Sequence, residues 1–119
     1  MLFNQLIDTY KFLGGILMKR FYKMVEASNK RFPNGVEPYQ MMTRLLEECG
    51  EVASEVNLWE DSGLKRQKHG DPKKEDLANE IRQAMVELVK IAMYYHIEEE
   101  LEKSIESSIE RSKKEGLIK

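Results

Sequence analysis

Arg44-Leu45-Leu46-Glu47-Glu48-Cys49-Gly50-Glu51-Val52-Ala53-Ser54-Glu55-Val56 is the stretch whose reading decides the fold. Its apolar residues recur every three to four positions, the period of an α-helix and not the alternation of a strand. Extended outward, the pattern predicts one helix from Pro38, a residue suited to a first helical position, to about Asp61. On a wheel of 100° per residue, Met41, Met42, Leu45, Leu46, Cys49, Val52, Ala53, Val56 and Trp59 form one broad apolar arc. Glu48 lies at the edge of that arc, Glu51 and Glu55 just beyond it on the same side, and Glu47 further round. Carboxylates spaced i,i+3 and i,i+4 disfavour a helix by roughly 0.2–0.5 kcal/mol per pair. Only Arg44 offers a nearby intrahelical offset.

The same design returns downstream. Leu77, Ile81, Ala84, Met85, Leu88, Ile91, Ala92 and Tyr95 make the expected core stripe of a third helix, bordered by Glu80, with Asp76, Gln83 and Glu87 alongside. If the two helices pack antiparallel, their acidic shoulders face each other and enclose a shared pocket. A bound divalent cation would turn the repulsion into coordination, and oxygen-only ligands suit Mg²⁺ or Mn²⁺. A carboxylate-bridged di-iron site wants Glu-x-x-His, and neither His69 nor His96 has a glutamate three positions before it. A solvated acidic face fits the same spacing, so the wheel alone leaves two readings open.

Around these helices, Phe3, Leu6, Ile7, Tyr10, Leu13, Leu17, Phe21 and Met24 recur at helical spacing in an amino-terminal segment, residues 1–35. Gly14–Gly15 interrupts it and predicts a kink or break, since each glycine costs roughly 1 kcal/mol relative to alanine. Residues 31–37 form a turn-rich link and residues 61–70 a polar loop. Asp71-Pro72 reads as the cap and first turn of the third helix, which runs through Tyr95. A fourth helix carries Ile97, Leu101, Ile105 and Ile109 and fades at Gly116. The expectation is one all-α domain over residues 1–119, a four-helix-bundle-like arrangement of long antiparallel helices.

Composition narrows the function. Lysine and arginine number 19 against 21 acids, for a net charge of −2, and they are spread along the chain, which argues against a nucleic-acid footprint. Cys49 is the only cysteine, excludes an intrachain disulfide, and reads as a small buried apolar residue. No apolar run approaches the ~20 residues of a membrane span. The amino-terminal stretch lacks a basic lead and is interrupted by Asp8 and Lys11, so a signal peptide is not expected. Met18 is an alternative start, and the expected location is the cytoplasm.

Leu46-Glu47-Glu48-Cys49-Gly50-Glu51-Val52 is similar to the first metal-binding stretch of the MazG-like nucleoside triphosphate pyrophosphohydrolases, a Glu-Glu-x-Gly-Glu pattern on a helix. That family's second stretch reads Glu-x-x-Asp on the next long helix, and Glu80-Ile81-Arg82-Gln83 stands in its register. The resemblance covers roughly residues 36–112. It implies a MazG-type fold completed by oligomerisation, as homodimer or homotetramer, and Mg²⁺-dependent conversion of a nucleoside triphosphate to monophosphate and pyrophosphate. Phosphoribosyl-ATP pyrophosphohydrolase is a relative using the same acids on another substrate. Carried over by position, Glu48, Glu51 and Glu80 are metal ligands with Glu47 beside them, and Gln83 stands where the family has aspartate. Either Gln83 binds through its amide oxygen, or Asp76 or Glu87 takes over, or the protein binds nucleotide or a protein partner without turnover.

On this reading Glu51 is a shared ligand, and Glu47 or Glu55 orients or deprotonates the attacking water. Lys65, Arg66 and Lys68 in the loop, and Arg111, Lys113 and Lys114 near the carboxyl terminus, are candidates to balance polyphosphate charge. For each group, ordinary surface charge is the competing reading. Trp59 is a candidate base-stacking residue or a core tryptophan, and Tyr94 and Tyr95 read as core or dimer contacts.

Overall fold

Among the described residues the chain forms five helices: α1 (Leu2–Arg31), α2 (Pro38–Trp59), α3 (Lys65–His69), α4 (Lys74–Tyr94) and α5 (Glu98–Lys114). The computed structural model describes the backbone of residues 2–119 and the side chains of residues 2, 5 and 15–119. Phe3, Leu6, Ile7, Tyr10 and Leu13 therefore lie outside the described side chains. Among the described residues there is no strand, and no helix is long and apolar enough to cross a membrane.

Most boundaries follow local chemistry. Pro38 opens α2 behind an extended Glu37 (φ −79°, ψ 143°), and Gly116 ends α5 at φ 75°, a conformation glycine adopts without steric cost. Three expectations change. The backbone of α1 stays helical through Gly14–Gly15, so no break occurs there. The polar loop holds α3, because the Arg66 guanidinium binds the carbonyl oxygens of Leu58 (3.3 Å) and Trp59 (2.9 Å) and ties the segment to the end of α2. Finally, α4 starts at Lys74 behind an extended Lys73, two residues later than Asp71-Pro72 implied.

Packing concentrates on α4. Phe21 and Val25 of α1 meet Val86 and Val89 of α4 in a small apolar core, flanked by Tyr22, Met24 and Met93. The most extensive pairing is between α2 and α4, while α5 packs on α4 and brings Glu98 and Glu102 near Tyr22 of α1. Facing residues show that α2 and α4 run antiparallel: Glu48 meets Gln83, and Glu80 lies close to Glu51 and Glu55.

The helices are rotated from the expected setting. Buried positions of α4 include Val86, Glu87, Val89, Lys90 and Ala92, whereas Ile81, Met85, Leu88 and Tyr95 of the expected stripe are exposed. On α2 the same holds: Met41 and Leu45 are buried, but Met42, Leu46, Cys49, Ala53 and Val56 are exposed. Both apolar stripes lie about a quarter-turn from the α2–α4 seam in the same rotational sense. In antiparallel helices that directs them to one side, opposite the face on which α1 docks. The physical reason is that α1 claims one flank of α4 while carboxylates occupy the seam, which leaves the widest apolar stripes uncovered. The radius of gyration, 17.9 Å, exceeds the roughly 13–14 Å of a compact domain of this length.

Candidate metal centre

The seam between α2 and α4 is polar where a bundle would normally be apolar. Met41, Leu45, Glu48, Val52, Glu55 and Trp59 of α2 are at least half withdrawn from solvent, at alternating spacings of three and four residues. This is the spacing that keeps one line of a helix against its neighbour, so Glu48 and Glu55 occupy positions a bundle gives to leucine. Across from them stand Glu80, Gln83, Glu87 and Lys90 of α4, separated by three or four residues and withdrawn in the same way.

Gln83 sits at the centre. With its amide oriented by the hydrogen-bond network, its nitrogen donates to Glu48 Oε2 at 2.8 Å and to Glu80 Oε2 at 3.2 Å. Its oxygen accepts from Asn79 Nδ2 at 3.2 Å. A neutral amide thus joins two like-charged carboxylates across the helix pair. Aspartate here would add a third negative charge at the same point.

The carboxylates crowd one another. Burial pushes the Glu48 carboxyl above its ordinary value, and Glu80, Glu87, Glu47 and Glu51 push it further. Burial also raises Glu80, with Glu51, Glu55 and Asp76 adding to the rise and Arg82 opposing it. Two buried carboxylate oxygens, Glu55 Oε2 and Glu87 Oε2, have no hydrogen-bond partner. The other oxygen of Glu87 accepts from Lys90 Nζ at 3.0 Å, an ion pair whose two residues are only 6% and 4% exposed. Buried polar atoms without partners are uncommon, and two on one seam mark a place where something positively charged or hydrogen-donating fits.

Other expected site residues fall differently. Glu47 and Glu51 are exposed on the rim, their charges reaching Glu48 and Glu80. Arg66 is occupied by carbonyl oxygens and lies 3.8 Å from Asp61; Lys65 is half-buried on α3, and Lys68 is exposed. Arg111, Lys113 and Lys114 ride the last turn of α5, and Arg111 is about 20 Å along the axis from the start of that helix. Because α5 does not pack on α2, this basic turn is not brought to the seam within one chain. Trp59 is half-buried at the far end of the seam, with its Nε1 buried and unpartnered.

Two features escaped the sequence reading. One is the burial of Lys90, although a lone charge inside Leu88-Val89-Lys90-Ile91-Ala92 signals it. The other is an open groove of about 650 Å³ between the end of α1 and the start of α2, lined in part by Arg31, Phe32, Tyr39, Thr43 and Arg44. Arg44 stacks over the Phe32 ring at 5.0 Å, one helical turn before Glu48.

The donor set tests whether a cation suits the seam. All candidate ligands are hard oxygens, which match Mg²⁺ or Mn²⁺, and the orphaned carboxylate oxygens supply unused acceptor capacity. Glu48, Glu51 and Glu80 are the residues that would hold the ion. Among the described residues, no three acids, histidines or cysteines yet stand at metal-holding distances. Set against known families, curated proteins and solved structures, the chain matches none of them.

Proposed function

We propose that the chain is a Mg²⁺-dependent nucleoside triphosphate pyrophosphohydrolase of the MazG-like kind. The observation that carries this reading is the meeting of Glu48 and Glu80 across α2 and α4 at Gln83, with unpartnered carboxylate oxygens on either side of that point. Folding has placed acids where apolar residues would stabilise more, and a ligand of opposite charge repays that arrangement. When bound, Mg²⁺ would neutralise phosphate oxygens during in-line attack by water.

The chain's own residues divide the remaining work. Glu48 and Glu80 face inward and hold the cation, with Glu51 completing the set from the rim. Glu47 and Glu55 flank them and orient the attacking water or accept its proton. Arg44 and Arg31, at the Glu48 end of the seam, are better placed than Arg66 to meet polyphosphate oxygens, because among the described residues no ion pair engages either guanidinium, whereas Arg66 binds two carbonyl oxygens. The exposed stripe of Leu46, Val56, Ile81, Met85 and Leu88 is covered by a second copy in a homodimer or larger assembly. Sedimentation of a monomer at micromolar concentration would remove that part of the reading.

Gln83 favours a second reading. Its amide hydrogens occupy the carboxylates a metal needs, as expected of a family fold kept for binding nucleotide or protein after turnover was lost. Pyrophosphate release from a panel of nucleoside triphosphates, with Mg²⁺, with Mn²⁺ and with EDTA, separates the two. Turnover that requires metal and vanishes in Glu51→Gln supports the enzyme. Turnover absent from the native chain but present in Gln83→Asp supports the binding module.

A further inference from the structure

The resemblance calls for four acids at the metal, and this chain has glutamine at the fourth position. Three observations point to where the missing charge has gone. In the amide orientation that the surrounding hydrogen-bond network favours, Gln83 presents its nitrogen to Glu48 and Glu80 and donates between them. Glu87 lies one turn further along the same face of α4, beside Glu48, and is 6% exposed. Its Oε1 is held by Lys90 Nζ at 3.0 Å, while its Oε2 is buried with no partner.

We propose that Glu87 supplies the fourth carboxylate of the centre, that Lys90 positions it, and that Gln83 is an interhelix clamp and not a ligand. The inference rests on the metal-centre reading and goes beyond it in assigning these roles. Metal-binding carboxylates are commonly held by a second hydrogen-bonding group that fixes their orientation. Lys90 has that relation to Glu87: one oxygen is anchored and the other left open. Asp76, the alternative substitute, is an exposed first-turn residue of α4 with no orphaned buried oxygen. Lys90 also explains how a buried carboxylate is tolerated before a cation arrives, since an unpaired buried charge would otherwise be costly.

The test is Mn²⁺ binding to the full chain, read from loss of the free-ion electron paramagnetic resonance signal. Native protein, Glu87→Gln, Gln83→Ala and the double variant Glu87→Gln with Gln83→Asp are compared. Glutamine at 87 keeps an acceptor for Lys90, and metal-free melting followed by circular dichroism checks that each variant is folded. The proposal expects Glu87→Gln to weaken Mn²⁺ binding tenfold or more, Gln83→Ala to weaken it clearly less than Glu87→Gln does, and Gln83→Asp to restore binding to the Glu87→Gln chain. Should Glu87→Gln fail to fold, Glu87→Gln with Lys90→Met removes the buried positive charge and must show the same weakening. Unchanged affinity without Glu87, or a loss in Gln83→Ala as large as that in Glu87→Gln, overturns the assignment while leaving the metal centre standing. Native protein that binds no Mn²⁺ at millimolar concentration overturns the centre and the assignment together.

Discussion

The two faces that α4 presents to its neighbours obey opposite rules. Toward α1 it offers Val86 and Val89 to Phe21 and Val25, a dry contact in which Val25 is fully buried. Toward α2 it offers Glu80, Gln83, Glu87 and Lys90 to Glu48 and Glu55. The first contact is what hydrophobic burial produces by default. The second keeps unpaired carboxylate oxygens out of water and raises the proton affinity of Glu48 and Glu80. One helix carrying both shows that the polar seam is not a failure to find apolar residues. The chain has them on α2 and α4 and turns them away.

The strongest way to break the comparison is to damage the dry contact. Phe21→Ala should cost about 3–5 kcal/mol, the usual range for a buried aromatic cut to alanine, which is a large part of the 5–15 kcal/mol typical of a whole domain. Urea unfolding checks it; a loss under 1 kcal/mol would mean α1 contributes little to the fold. Next in size comes the uncovered stripe. Leu88→Asp places a charge at a site already 54% exposed in the single chain, so helicity should stay within a few per cent, while the association proposed for this stripe should be lost. Sedimentation velocity reads the second and circular dichroism the first. If association survives, another face joins the copies.

Neutralising a seam acid should have the opposite sign from damaging the core. Glu48 and Glu80 hold protons more tightly in the folded chain than in the unfolded one. Their contribution is therefore complete below the ordinary carboxylate value of 4.5 and is lost as pH rises through the raised values. In EDTA at neutral pH, Glu48→Gln should melt a few degrees higher than the native chain, and the gap should close toward pH 4. On the metal-centre proposal the order should reverse with Mn²⁺ present, because the same carboxylate would then hold the cation. Equal melting temperatures in EDTA across the pH range would show that the seam acids do not strain the fold.

Most of the fold was legible from period alone. The extents of α2, α4 and α5 came within about three residues of their observed ends, because Pro38, Gly116 and the apolar repeats act locally. That acids of α2 and α4 come together was legible too, since the wheel sets Glu48 and Glu80 beside the apolar arcs of two helices expected to pack antiparallel. What the wheel did not yield was rotation. It counted Leu46, Cys49, Ile81 and Leu88 as core since they are apolar, whereas burial depends on which flank a neighbouring helix claims. Lys90 was missed for the same reason, as a charge is assigned to solvent until a partner such as Glu87 is seen beside it. Gln83 is legible as an exchange, but its place between Glu48 and Glu80 depends on how the two helices pack.

Tyr22 offers the finest test, since it lies at the edge of the dry contact and faces acids of its own. Its hydroxyl is withdrawn from water beside the carboxylate of Glu102. Burial and the carboxylates of Glu102 and Glu98 push the phenol up to about 12 from 10.0. The folded chain thus resists ionising this tyrosine, and its contribution to stability is whole below pH 10.0 and lost as pH rises through about 12. Tyr22 should titrate late by absorbance at 295 nm, and Tyr22→Phe should remove that late phase. The variant's melting point at pH 7 should move by only a few degrees, because a single hydroxyl–carboxylate interaction with Glu102 is lost. Should all remaining tyrosines still include a late one, the acids at the start of α5 do not reach α1 in solution, and the contrast between the dry and polar flanks of α4 ends at α2.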